Sequence, residues 1–281
     1  QRPPARRGQL GSEDPCLRVE HAPATNETIV YGLGELHLRV LLERLREVHK
    51  LEVDTRPPRI AYRETITQNA AAQYRHKKQS GGAGQFGEVH LRIEPLPRGA
   101  GFEFVDQVKG GTIPGQFMPA VEKGVREVLA EGVIAGYPVQ DVRVIVHDGK
   151  HHAVDSKEIA FVTAGRAAFL DAIGKARPQV LEPIVDQGAA APEAQLGDVT
   201  GSLAARRARI VGTDAGNDGG RAETVVKAQV PMSELDGFAA ELKSLTAGKG
   251  RYSLDFSHYE PVPPQVQQKL VDAYKPRHEE D

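Results

Sequence analysis

Residues 77–96 read KKQSGGAGQFGEVHLRIEPL. Gly82, Gly84 and Gly87 spell G-x-G-x-x-G, and Val89 extends the match to a kinase-type glycine loop. The residues after the glycines decide the fold. A dinucleotide loop leaves a buried parallel strand and opens a helix whose N-terminus meets the pyrophosphate. Here Val89, Leu91 and Ile93 alternate with His90 and Arg92, a period of two that Pro95 and Pro97 stop. A strand, not a helix, succeeds the glycines. The preceding QYRHKKQS is too polar for a central parallel strand. A kinase loop would need a V-A-I-K-type lysine, an H-R-D loop and D-F-G, and none occurs. No G-x-x-x-x-G-K-[ST] occurs either. An ATP-binding enzyme built on Gly82–Gly87 therefore fails on context. An exposed hairpin remains, whose glycines serve turn geometry. Arg75, His76, Lys77 and Lys78 flank it, either as a solvated face or as partners for phosphate.

On either side of this hairpin the chain alternates strands and helices. CLRVEH and TIVYG read as two strands, followed by a helix from Gly34 to Lys50 with Leu36, Val40, Leu41 and Leu45 on one stripe. After the Pro-Pro at 57 and 58, AYRETIT reads as a strand. GFEFVDQV and VQDVRVIVHDG are further strands. FMPAVEKGVREVLAEG is a helix burying Val121, Val125 and Val128, with Gly132 as its C-cap. SKEIAFVTAGRAAFLDAIGKA is a helix apolar enough to lie between other elements. Beyond Gln179 come a weak strand in PIVDQGAAA, a helix in GDVTGSLAARRARI, a strand ETVVKAQVP, a helix ELDGFAAELKSL and a strand RYSLDFSHY. A last amphipathic helix, QVQQKLVDAY, comes after PVPP.

Composition narrows the class. Forty per cent hydrophobic and 26% charged residues in 281 are a soluble globular balance. A net charge of −2 gives no global case for nucleic acid, so basic character must be local. Residues 60–178 hold five of the ten histidines: His76, His90, His147, His151 and His152. Cys16 is the one cysteine, which excludes an internal disulfide framework and a Cys-based metal site. His151-His152 lacks ligand partners at metal spacing. No apolar run reaches membrane-spanning length. The basic start QRPPARRGQLGSEDP has no secretory core and reads as an edge inside a larger protein.

Blocks spread over most of the chain resemble elongation factor G, in that family's order: YGLGELHLRVLLERL, AYRETI, QSGGAGQFGEVHLRIEPLPRGAGFEF, GGTIPGQFMPAVEKGVRE, AGYPVQDVRV, HHAVDSKEIAF, VLEPI and LTAGKGRYSLDFSHYEPVP. The resemblance implies an α+β fold of three small domains. Residues 1–59 correspond to domain III, ferredoxin-like (βαββαβ) and N-terminally incomplete. Residues 60–178 correspond to domain IV, ribosomal protein S5 domain 2-like. Residues 179–281 correspond to domain V, ferredoxin-like, with a C-terminal helix at 263–274.

The resemblance also implies a task. The family's domain IV tip enters the ribosomal decoding site and contacts the tRNA–mRNA duplex during translocation. Two loops, 79–87 and 148–157, match that tip. The implied RNA contacts are Lys77, Lys78, Ser80, Gly81, Gly82, Gly84, Gln85, Lys150, His151, His152, Asp155, Ser156 and Lys157, with Arg206 and Arg207 as further candidates. Small residues and neutral donors suit a paired minor groove, and lysines suit phosphates. Implied partners are ribosomal RNA, the tRNA–mRNA complex, stalk-base proteins and the GTPase domain of the same parent chain, with no membrane and a cytoplasmic location. The chain itself would hold no cofactor or metal and catalyse nothing. GTP and Mg²⁺ would belong to parent domains outside it. Two departures point toward a paralogue specialised in ribosome recycling or rescue. Ala83 replaces a usually basic residue, and the pattern G-D-L-N-A-R-R-G appears as Gly201-Ser202-Leu203-Ala204-Ala205-Arg206-Arg207-Ala208.

Overall fold

The alternation of Val89, Leu91 and Ile93 builds a strand whose apolar side chains are completely buried. In the structure, a computed structural model, residues 16–22, 25–32, 34–78, 84–218 and 221–274 are described. They divide between two compact units that part after Ala61.

In the first unit, β1 (Arg18–Ala22) and β2 (Glu27–Tyr31) form an antiparallel hairpin with Arg18 opposite Tyr31. Asn26 turns it at φ 52°, a conformation asparagine tolerates. Helix α1 (Glu35–Glu47) comes next. The expected stripe is half right. Leu41 is buried and Leu45 half-buried, but Leu36 and Val40 are 73% and 53% exposed. Leu38 and Leu42 take the inward positions instead. Apolar residues at 36, 38, 40, 41, 42 and 45 surround much of the helix, so periodicity alone allows two overlapping stripes. Glu27 accepts from Arg56 at 2.9 Å and from the Arg59 N–H at 3.0 Å, tying the Pro-Pro segment to β2.

The second unit holds two sheets. The first, ordered β4-β5-β7-β6, consists of β4 (Ala70–Lys78), β5 (Gln85–Pro95), β6 (Phe102–Asp106) and β7 (Val142–Lys150). Only the β6–β7 pair is parallel, joined by a crossover through α2 (Met118–Glu131). The polar β4 is the edge strand, where one-sided solvation suits it. Helix α2 and α3 (Glu158–Lys175) pack on the face carrying Val89, Leu91, Ile93, Val144 and Val146. Their close approach needs glycine: a Cβ on Gly124 would lie 2.1 Å from the Val162 carbonyl oxygen. Gly132 ends α2 at φ 80°.

The second sheet is ordered β11-β8-β10-β9. Its strands are β8 (Pro178–Ala191), β9 (Arg209–Asp218), β10 (Arg221–Pro231) and β11 (Arg251–Pro261). Helix α4 (Leu196–Ala205) succeeds β8, and α5 (Phe238–Leu245) succeeds β10. This β-α-β-β-α-β order with β8 central is the expected ferredoxin-like arrangement. The stretch PIVDQGAAA is no weak strand, since β8 runs for 14 residues between two partners. Its small residues have a packing reason: Ala189 and Ala191 lie buried against Val199 and Leu203 of α4. RRARI, residues 206–210, is not helical. Helix α4 ends at Ala205, Arg207 turns the chain at φ 57°, and β9 begins two residues later.

β3 (Arg63–Ile66) precedes the first sheet in sequence yet pairs with the start of β8 in the second. Its Glu64 carboxylate is buried and accepts four backbone N–H groups from residues 133–137, the loop after α2. The last helix, α6 (Pro264–Ala273), packs Val266 and Leu270 against the same loop and Val180. Tyr274 fills the space above Gly136, where a Cβ would come within 2.4 Å of its ring. These contacts join the two sheets into one unit.

Candidate nucleic-acid interface

The glycine loop connects two antiparallel strands, with Lys78 opposite Gln85. Gly87 itself lies on β5, so a strand and not a helix carries the chain onward from the glycines. Ser80, Gly81, Gly82 and Ala83 lie outside the described residues. Gly84 is described and lies against Asp155, where a Cβ would sit 2.9 Å from the carboxyl and displace that side chain. Gly87 lies under α3, where a Cβ would approach the Ala160 backbone to 3.2 Å.

The second loop, between β7 and α3, is laced to this hairpin. The Phe86 N–H donates to the Asp155 carbonyl at 2.9 Å. The Ser156 hydroxyl donates to the Phe86 carbonyl at 2.9 Å and accepts from the His152 N–H at 2.8 Å. The Ser156 N–H returns to the His152 carbonyl at 3.1 Å. His152 is 56% exposed, with the Phe86 ring edge-on 6.3 Å away. Its Nδ1 accepts from the Val154 and Asp155 N–H groups at 3.4 and 3.2 Å, and Asp155 Oδ2 lies 3.3 Å away. His151 donates from Nδ1 to the Thr112 carbonyl at 3.0 Å.

The fold therefore brings together Gly84, Gln85, His152, Asp155 and Ser156. Exposed Lys77 and Lys78 continue along β4, while exposed Lys150 and Lys157 bracket the second loop. Two expected contacts are already engaged. Ser156 is half-buried and works as the clamp between the loops, and the Gln85 side-chain oxygen Oε1 faces His76 Nε2 at 3.2 Å. Sequence reading missed Phe86 and Val154. Val154 is 77% exposed at the loop's apex, an apolar residue with no core to enter. The inward partner of Phe86 is visible only once the two loops meet.

Behind the tip, the open sheet face carries Glu88, whose carboxyl is held by Arg75 at 2.6 Å and His90 at 2.9 Å. Burial alone would raise this carboxyl, but those bonds outweigh it and bring it below the ordinary carboxylate range. Asp148 is also lowered, chiefly by the Gly149 N–H that donates to it at 2.8 Å. His147 is pushed down by burial first, then by electrostatic interaction with neighbouring His90 and Arg92.

Arg206 and Arg207 lie elsewhere, at the turn after α4, and both are taken up inside the chain. Arg207 makes a fork of two 2.8 Å bonds to Glu182, itself 2% exposed, and a third to Glu234. These carboxylates raise its pKa. Arg206 bonds the Asp236 carbonyl at 2.9 Å and the Glu241 carboxylate at 2.6 Å. A buried Glu182 demands a cation, which is the physical reason for this arrangement. These bonds tie the turn after α4 to β8 through Glu182 and to α5 through Glu241.

Among the described residues no cluster of His, Cys, Asp or Glu could hold a metal ion. No helix there is long and apolar enough to cross a membrane.

Three family models match in succession: elongation factor G domain III over residues 8–57, domain IV over 58–177, and the elongation factor G C-terminus over 179–270. The chain belongs to the elongation factor G family. An elongation factor G-like protein of Thermotoga maritima is 46% identical over 94% of this chain and 38% of its own length. Elongation factor G of Aquifex pyrophilus is 47% identical over 92% of this chain and 36% of its own. A crystal structure from Thermus thermophilus superposes with a TM-score of 0.82 at 41% identity, covering 95% of this chain and 40% of that one. The chain spans about two fifths of the length of the relatives it matches. Both laced loops fall within the elongation factor G domain IV match, and Arg206 and Arg207 within the C-terminal one.

Proposed function

We propose that this chain is the ribosome-engaging part of an elongation factor G-like translational GTPase, acting by binding rather than by chemistry. Its two-loop tip enters the decoding site and holds the tRNA–mRNA duplex during translocation. The observation that carries this reading is the laced tip: two loops cross-bonded through Ser156 and Phe86, presenting His152 beside four exposed lysines. Neutral donors and small residues at the apex suit a wide, shallow RNA minor groove and read no sequence. Flanking lysines suit phosphates. Ribosomal RNA and stalk-base proteins are further partners under this reading, the setting is cytoplasmic, and GTP with Mg²⁺ is bound by other parts of the parent protein.

In the full-length factor, His152→Ala should slow single-turnover translocation about tenfold, the equivalent of one lost contact. Thermal stability should stay near wild type, because the ring is exposed. An unchanged translocation rate would overturn the reading. Ala83 favours a second reading, a paralogue specialised in ribosome recycling or rescue. That reading predicts ribosome binding at wild-type strength with slow translocation, restored in part by Ala83→Lys.

A further inference from the structure

The ring of His152 does not sit in a featureless loop. Two backbone N–H groups, of Val154 and Asp155, point at its Nδ1. In a neutral imidazole one nitrogen donates and the other accepts, and the partners of one decide the role of the other. Both N–H groups exist because residues 152–156 close on themselves: the His152 carbonyl takes the Ser156 N–H, and the His152 N–H gives to the Ser156 hydroxyl. That hydroxyl then donates to the Phe86 carbonyl, fastening the ring's backbone to β5. The Phe86 N–H fastens Asp155 in turn.

We propose that Ser156, with the amides of Val154 and Asp155, fixes His152 as the Nε2–H tautomer. The tip then presents one neutral N–H donor at a set position, and its ligand atom is an RNA oxygen or nitrogen acceptor. Ser156 is a positioning residue: it acts through His152 and touches no RNA itself. The class of ligand rests on the functional reading above, whereas the tautomer rests on the two backbone N–H groups, which compete for Nδ1 with the Asp155 Oδ2 at 3.3 Å, the acceptor that an Nδ1–H would take. The arrangement also favours an uncharged acceptor, a 2′-hydroxyl or a base edge, over a phosphate. A phosphate contact draws strength from an imidazolium, and protonating Nδ1 would displace both backbone donors. Asp155 Oδ2 beside Nδ1 is the charged group on the loop that would receive that second proton's N–H.

Long-range ¹⁵N–¹H correlation of the histidine rings in this chain, at about pH 8.5 where an ordinary imidazole is neutral, tests the proposal directly. Wild type should show His152 Nδ1 as the bare, acceptor-type nitrogen and Nε2 as the protonated one. In Ser156→Ala the two shifts should converge toward a tautomer mixture, and Ser156→Thr, which keeps a hydroxyl, should restore them. Retained amide dispersion for β5 and β7 separates loss of positioning from loss of fold. An Nδ1–H tautomer in wild type, or shifts unmoved by Ser156→Ala, overturns the proposal. A parallel titration with a short RNA duplex, and with the same duplex carrying 2′-deoxyribose, reads the functional claim separately. With the tautomer confirmed, binding should weaken about fivefold in Ser156→Ala, the equivalent of one hydrogen bond. Absence of any RNA response would fall on the functional reading while leaving the tautomer assignment upheld.

Discussion

Replacing Glu64 by alanine probes the joint between the two sheets of the second unit. Glu64 is 1% exposed, and its carboxylate accepts from Val133 at 2.7 Å, Ile134 at 3.0 Å, Ala135 at 2.8 Å and Tyr137 at 3.1 Å. Alanine removes the acceptor for all four. The Ala135 bond is buried, so its N–H is left without water to replace the carboxylate, at about 1–3 kcal/mol. The other three are partly buried, where water substitutes and each loss is about 0.5–1.5 kcal/mol. Together the change is about 2.5–7.5 kcal/mol, a large share of a typical domain's stability. A chain of two units need not unfold in one transition, so native-state amide exchange is the better measure. Protection of the 133–137 amides should fall at least about 100-fold, since each 1.4 kcal/mol is a factor of ten. The amides of α6 should lose protection with them, because Tyr274 and Leu270 rest on the same loop. Glu64→Gln keeps one carbonyl oxygen and should lose about half as much. A fall of less than tenfold in the alanine variant would refute the role of this carboxylate as the joint.

Two single groups, one buried and one half-buried, give further expected outcomes. Gln187 is 2% exposed on β8, and neither atom of its amide has a protein partner. Gln187→Leu should therefore raise the unfolding temperature by about 2–4 °C, the effect of about 1 kcal/mol in a domain this size, and a lower midpoint would show that the amide holds an internal water. The folded pKa of His147 lies below its ordinary 6.5, so its neutral form contributes stability that is complete above 6.5 and lost as pH falls through the folded value. His147→Gln should flatten the fall in thermal midpoint between about pH 7 and pH 5, and equal slopes in variant and wild type would contradict the assignment.

Much of this molecule was legible because the relevant signals are local. The period-two run Val89-Leu91-Ile93 needs only neighbouring residues to declare a strand, and it sufficed to separate a hairpin from a nucleotide loop. Gly132 at the end of α2, Pro95 at the end of β5 and Pro97 beyond it acted where local chemistry says they should. Errors arose where a distant partner decides. Leu36 and Val40 belong to an apolar stripe as good as the one actually buried, and the local period does not choose between them. Ala189 and Ala191 look poor as strand residues, yet the approach of α4 requires small side chains there. The partners that Arg206 and Arg207 take, Glu241 and Glu182, leave no mark beside them in the sequence.

The sequence by itself determined the α+β class, the hairpin around the glycines and the family, since each rests on short-range pattern or on consecutive matching blocks. Tertiary structure alone decided how the tip is made. Phe86 and Ser156 are 70 residues apart, and their hydrogen bond exists only because β5 and β7 pair and deliver both loops to one end of the sheet. The same is true of Glu64, whose four donors lie about seventy residues downstream. Long-range hydrogen bonds leave no period in a sequence, because the chain between their ends is free to vary.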